Sequence, residues 1–149
     1  MKKAADIMTL NVITVTTETS VQELATLLSF NNISGAPVVD NAGNLLGVVT
    51  ENDLIDQAKK LHIPTVITIL DSVFYLENPD RMEKEMKKIA GTTVLDIYSS
   101  DIITVNEDTS LDEIATIMAE KNIHTLPVVR ETKLIGVIGK KDIIKTLIP

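Results

Sequence analysis

The chain reads as an α+β protein made of two copies of one βαββα unit, separated by a stretch that repeats nothing. Residues 6–58 align with 96–147 after one deletion near Gly43, and about twenty of about fifty positions are identical. Each copy holds short β-branched runs suited to strands, and each carries a helix-opening signal at the same place. With 149 residues in all, a single half would bury too little surface to be comfortable alone, so the halves are expected to fold together. The organisation is repeat 1 over 1–58, an insert over 59–95 and repeat 2 over 96–149.

The elements follow in order. NVITV (11–15) and DIITV (101–105) are short and β-branched and predict a first strand in each copy. Ser20-x-x-Glu23 and Ser110-x-x-Glu113 are capping boxes. Apolar residues at helical spacing follow each box: Val21, Leu24, Ala25 and Leu28, then Leu111, Ile114, Ala115 and Met118. PVV and LLGVV joined through DNAGN, and PVV and LIGVI joined through RETK, predict two hairpins with polar turns. A closing helix starts near Thr50 and again near Gly139. In the insert, Asn78 suits a cap, Pro79 the first helical position and Gly91 the stop of a helix with a Met82, Met86, Ile89 stripe. The preceding PTVITILDSVFYLEN is ambiguous: it is apolar, β-branched at its start and holds Phe74 and Tyr75, which fits core packing or a subunit contact better than a ligand pocket.

Composition narrows the function classes. The sequence is 44% hydrophobic and 23% charged, with no apolar run near the ~20 residues of a membrane span and no signal-peptide centre at its start, which predicts a complete cytoplasmic protein. With no cysteine there is no disulfide, thiolate metal site or cysteine nucleophile. His62 and His124 lie in unlike contexts, so no metal site is expected, and His62 reads as a surface or capping residue. The net charge of −7 and the lack of a basic stripe argue against nucleic acid, though not against one small anion in a local pocket.

The chemistry concentrates in GVVTENDLI (47–55) and its copy GVIGKKDII (136–144). Thr50 can accept from the Asp53 N–H while the Asp53 carboxylate returns to the Thr50 backbone, a plain helix cap. The same geometry has a functional use. A helix start attracts phosphate, and a carboxylate one turn on can accept from the two hydroxyls of a ribose. Gly47 and Gly136 allow close approach of a ligand, or equally tight strand packing.

The repeated D-I-x-[TS]-x-x-[VI]-I-T-V start, the N-I-x-x-x-P-V-V strand and the G-[VI]-[VI]-x-x-x-D end resemble a tandem pair of CBS domains, a Bateman module, across nearly the whole chain. The insert with its LENP helix also resembles one type of stand-alone bacterial CBS-pair protein. The resemblance implies repeats related by a pseudo-twofold axis, with two clefts between them, each for an adenine nucleotide or related adenosyl ligand such as AMP, ADP, ATP or S-adenosylmethionine. It implies a first site of Thr9, Val12, Ile13, Thr14, Ser34, Gly35, Ala36, Pro37, Thr50 and Asp53. The second would hold Ser99, Ile102, Ile103, Thr104, His124, Thr125, Leu126, Pro127, Gly139, Lys140, Lys141 and Asp142. In the family the Thr50 position contacts phosphate and the Asp53 position ribose. Gly139 lacks the hydroxyl, whereas Lys140 and Lys141 stand where repeat 1 has Glu51 and Asn52, and His124 replaces Ser34. Unequal sites are expected, the second with more charge for a di- or triphosphate.

The resulting expectation is a regulatory module that senses an adenosyl ligand, with no catalytic cofactor and no metal, a likeness to flat homodimers, and an effector protein that receives the signal. A dimerisation module with degenerate sites is the alternative. Nothing pairs an activated nucleophile with a base, so an enzyme is not expected.

Overall fold

Proline shapes the sheet of each repeat, as a computed structural model shows. The structure describes residues 1–60, 66–69, 72–75 and 91–149, with the backbone alone at Lys60 and in segments 66–69 and 72–75. In repeat 1, α1 (Ala4–Ile7) and α2 (Val21–Asn31) precede the hairpin β1 (Gly35–Val39) and β2 (Leu45–Thr50), and α3 (Glu51–Lys60) closes the unit. Repeat 2 runs α4 (Val94–Ile97), α5 (Leu111–Glu120), β5 (Thr125–Arg130), β6 (Lys133–Gly139) and α6 (Lys140–Lys145). Both hairpins are antiparallel, with Ala36 opposite Val49 and Leu126 opposite Ile138.

The expected first strands contract to one residue each. Val15 forms a single parallel bridge with Val38, and Val105 one with Val128. Val15 N donates to Pro37 O at 3.0 Å, and Val39 N donates to Val15 O at 2.9 Å. Extending that ladder upstream would need an N–H from Pro37, which has none, and Pro127 blocks the second copy in the same way. Residues 12–14 and 102–104 are thereby released from the sheet.

Helix starts follow the sequence. Ser20 Oγ accepts from Glu23 N at 3.0 Å and Ser110 Oγ from Glu113 N at 3.2 Å, the hydroxyl half of each predicted box. In the insert, β3 (Val66–Ile69) and β4 (Ser72–Tyr75) pair antiparallel, which resolves part of the ambiguous stretch as a hairpin. The predicted helix from Asn78 and the surroundings of His62 lie outside the described residues.

The short helices α1 and α4 are absent from the sequence reading, and they organise the molecule. Each is capped by its own aspartate, Lys3 N donating to Asp6 Oδ2 at 2.8 Å and Thr93 N to Asp96 Oδ2 at 2.9 Å. Each packs on the other repeat. Ala4 is fully buried among Val105, Ile114, Leu126, Val128 and Ile138 of repeat 2. Val94 is fully buried among Val15, Leu24, Leu28, Ala36, Val38 and Val49 of repeat 1. Backbone bonds sew the exchange: Ala4 N to Thr109 O at 2.8 Å and Leu111 N to Lys2 O at 3.0 Å, answered by Val94 N to Thr19 O at 2.8 Å and Val21 N to Thr92 O at 3.0 Å. Neither core is complete without the leader of its partner repeat, so the halves fold as one body.

The glycines of the repeated motif sit where the exchanged leaders cross. Ser99 and Val48 trade two backbone bonds of 3.0 Å, and a Cβ on Gly47 would fall 2.1 Å from Ser99 O. Thr9 N donates to Val137 O at 2.8 Å, and a Cβ on Gly136 would fall 2.6 Å from the Met8 sulfur. Of the two uses open in the sequence, close packing is the one these glycines serve. At the far ends the hairpin tips also meet: Thr132 Oγ1 donates to Asn44 Oδ1 at 2.7 Å, and the Lys133 ammonium reaches Ala42 O. Bonds from the Asn44 side chain and from the Asn44 and Ala42 amides hold the Asp40 carboxyl below its ordinary range.

Candidate functional site

Among the described residues, four aspartates do the same local work. Asp53 Oδ2 accepts from Thr50 N at 2.8 Å and Asp142 Oδ2 from Gly139 N at 2.8 Å, repeating the caps made by Asp6 and Asp96. Asp6 and Asp96 are exposed, whereas Asp53 and Asp142 are half-buried, each in the wall of a cleft. Capping is therefore common to all four, and placement separates two of them.

The Asp53 cleft is about 500 Å³ and the Asp142 cleft about 430 Å³, both within the range of small-ligand sites. Each is built across the repeats. The Asp53 cleft takes Ser34, Thr50 and Asp53 from repeat 1 but Ser99, Ile102, Ile103, His124 and Thr125 from repeat 2. The Asp142 cleft takes Gly139, Lys140, Lys141 and Asp142 from repeat 2 but Thr9, Val12, Ile13, Gly35 and Pro37 from repeat 1. The grouping expected from the sequence, repeat by repeat, is corrected by this arrangement. Its cause is the leader exchange: the chain that follows Ser99 lies beside β2, and the chain that follows Thr9 lies beside β6.

Ser34, His124 and Thr125 line both clefts. They stand where the repeats touch, and a Cβ on Gly35 would lie 3.0 Å from Thr125 Oγ1. His124 Nε2 pairs with Asn122 Oδ1 at 3.2 Å. Five expected residues line neither cleft. Ala36, Leu126 and Pro127 are fully buried core, and Thr14 and Thr104 are exposed.

The Thr50 hydroxyl behaves differently from the capping scheme expected for it. It donates to Asp53 Oδ2 at 3.2 Å, so its hydrogen is aimed at the carboxylate. In the other cleft the Thr9 hydroxyl donates to Asp142 Oδ1 at 3.3 Å, a contact supplied by the opposite repeat. Sequence reasoning missed several lining residues: Glu51, Asn52, Asp101, Lys121 and Asn122 in one cleft, and Asn11, Asn32 and Lys145 in the other. A signal existed for two of them. Asn32 and Asn122 occupy matched positions after α2 and α5, with φ of 52° and 53°, the left-handed turn that asparagine tolerates.

Fold and clefts together define a paired-repeat module with two crossed pockets at its pseudo-twofold. The family model for the CBS domain matches residues 4–60 and 94–149, and the chain belongs to the CBS-domain family. It is 35% identical to protein MJ1404 of Methanocaldococcus jannaschii over 143 residues, which is 96% of this chain and 31% of that protein. The chain thus spans about a third of that relative. Among solved structures, CBSX2 of Arabidopsis thaliana in complex with AMP is 25% identical with a TM-score of 0.75, covering 99% of this chain and 96% of that one. The CBS domain pair of MJ0100, in complex with 5′-methylthioadenosine and S-adenosyl-L-methionine, shares the fold at 24% identity, a TM-score of 0.72 and coverage of 99% and 96%.

Proposed function

We propose that this protein is a cytoplasmic regulatory module that binds an adenosyl ligand in one or both crossed clefts and transmits occupancy to an effector protein. The observation that carries the reading is the pairing of Asp53 and Asp142 with clefts of ligand size, while the equivalent caps at Asp6 and Asp96 stay in solvent. An aspartate whose Oδ2 is fixed by the backbone presents its remaining lone pairs in a set direction, as ribose recognition requires. The AMP bound by CBSX2 and the adenosyl ligands bound by the MJ0100 pair support the class of ligand. Because each cleft has one wall from each repeat, a ligand that favours one spacing of the repeats shifts their arrangement. The module acts by binding and not by catalysis. In this proposal residues 1–58 and 96–149 are the repeats, and 59–95 connects them.

Exposed apolar side chains on the helices, Phe30 at 88%, Ile55 at 64% and Ile144 at 56%, support assembly as a homodimer. Light scattering at micromolar concentration tests that assembly, and a monomer would remove it.

Thermal denaturation with AMP, ADP, ATP and S-adenosylmethionine tests the binding reading. A ligand at a hundred times its Kd is expected to stabilise the chain by about 2.7 kcal/mol. The doubly substituted Asp53→Ala, Asp142→Ala protein is expected to lose that response. A flat wild-type response to the whole panel, or an undiminished one in the double variant, would overturn the reading.

A further inference from the structure

The two clefts carry opposite charge. Beside Asp53 stand Glu51 and Asp101, three carboxylates against the single ammonium of Lys121. Beside Asp142 stand Lys140, Lys141 and Lys145, three ammonium groups against one carboxylate. The hydroxyls do not offset this charge difference, because in each cleft one donates to the aspartate, Thr50 to Asp53 and Thr9 to Asp142. Thr50 Oγ1 would have to turn from Asp53 to serve a phosphate, which lessens the loss that Gly139 represents in the other cleft.

We propose that the clefts sort adenosyl ligands by the charge of the group beyond the ribose. The Asp142 cleft takes a nucleotide that carries a phosphate chain, and the Asp53 cleft takes an adenosyl ligand whose tail is neutral or cationic. The inference rests on the adenosyl reading above and adds the selectivity. Its physical basis is short-range. Lysine ammonium groups make charge-assisted bonds to phosphate oxygens, and carboxylates facing the same chain repel it. The apolar walls do not separate the clefts, since Val12 and Ile13 line the Asp142 cleft as Ile102 and Ile103 line the other, so charge alone carries the distinction. One chain would then compare an anionic ligand with an uncharged or cationic relative.

Isothermal titration of the full chain with ATP and, separately, adenosine tests this. Wild type is expected to bind one ATP per chain, more weakly as salt is raised. Lys140→Glu with Lys141→Glu is expected to weaken ATP by roughly tenfold or more while adenosine keeps its affinity. Glu51→Lys with Asp101→Lys is expected to create a second ATP site. All four positions are exposed, and far-UV circular dichroism verifies that the variants fold. Two equivalent ATP sites in wild type, or ATP affinity indifferent to the lysine reversal, would overturn the sorting and leave the adenosyl reading standing. No heat from either compound would overturn both.

Discussion

Replacing Gly47 by alanine is expected to destabilise the fold by about 3 kcal/mol, the upper part of the range for overpacking. The new methyl would meet Ser99 O at 2.1 Å and the Tyr98 ring at 2.6 Å. Ser99 cannot retreat cheaply, because its amide and carbonyl are both paired with Val48. Any retreat also opens the wall of the Asp53 cleft, so ligand-induced stabilisation there is expected to fall with it. The matched change Gly136→Ala meets the Met8 side chain first, its sulfur at 2.6 Å and its Cγ at 2.9 Å, and because a side chain yields more readily than a paired backbone the expected cost is about 1 kcal/mol. Urea denaturation of both variants checks the contrast. Equal, small losses would mean that the leader of repeat 2 does not lie across β2.

Val94→Asp carries the second large effect. Val94 is fully buried in the core of repeat 1, although by sequence it stands directly ahead of repeat 2. A carboxyl placed there has only hydrocarbon beside its side chain and must fold in its neutral form. A penalty of roughly 4 kcal/mol follows at neutral pH from a carboxyl driven about three pKa units upward by burial. Its neighbour Leu95 is 61% exposed, and Leu95→Asp is expected to stay within about 0.5 kcal/mol of wild type. The comparison uses urea midpoints of the two variants. A Val94→Asp no more costly than Leu95→Asp would contradict the exchange of leaders.

Much of this architecture is legible in the residues. Serine with a glutamate three positions on marks α2 and α5, and the polar turns DNAGN and RETK mark the hairpins, because these are local rules that tertiary packing seldom overrides. Thr93-x-x-Asp96 signals α4, whereas Lys3 ahead of α1 is no capping residue and leaves that helix without a local mark. Pro37 and Pro127 already forbid a long first strand once the parallel register is known. Which repeat each leader joins is a different matter. Ala4 and Val94 open matched segments, so packing within a repeat and packing across repeats satisfy the same apolar pattern. That ambiguity lets the sequence group the site residues repeat by repeat, whereas the clefts combine them crosswise. The direction of the Thr50 hydroxyl is likewise invisible in sequence, since a threonine cap can accept from an amide or donate to a carboxylate.

Amide hydrogen exchange on the Asp142→Ala variant, with and without saturating adenosine, addresses the crossed binding cleft most directly. Adenosine is expected to slow exchange together at residues 50–53 and 101–103, segments from different repeats that share the Asp53 cleft, and to leave 11–13 at the unliganded rate. Protection of 11–13 together with 50–53, without 101–103, would contradict a ligand cleft built across the repeats.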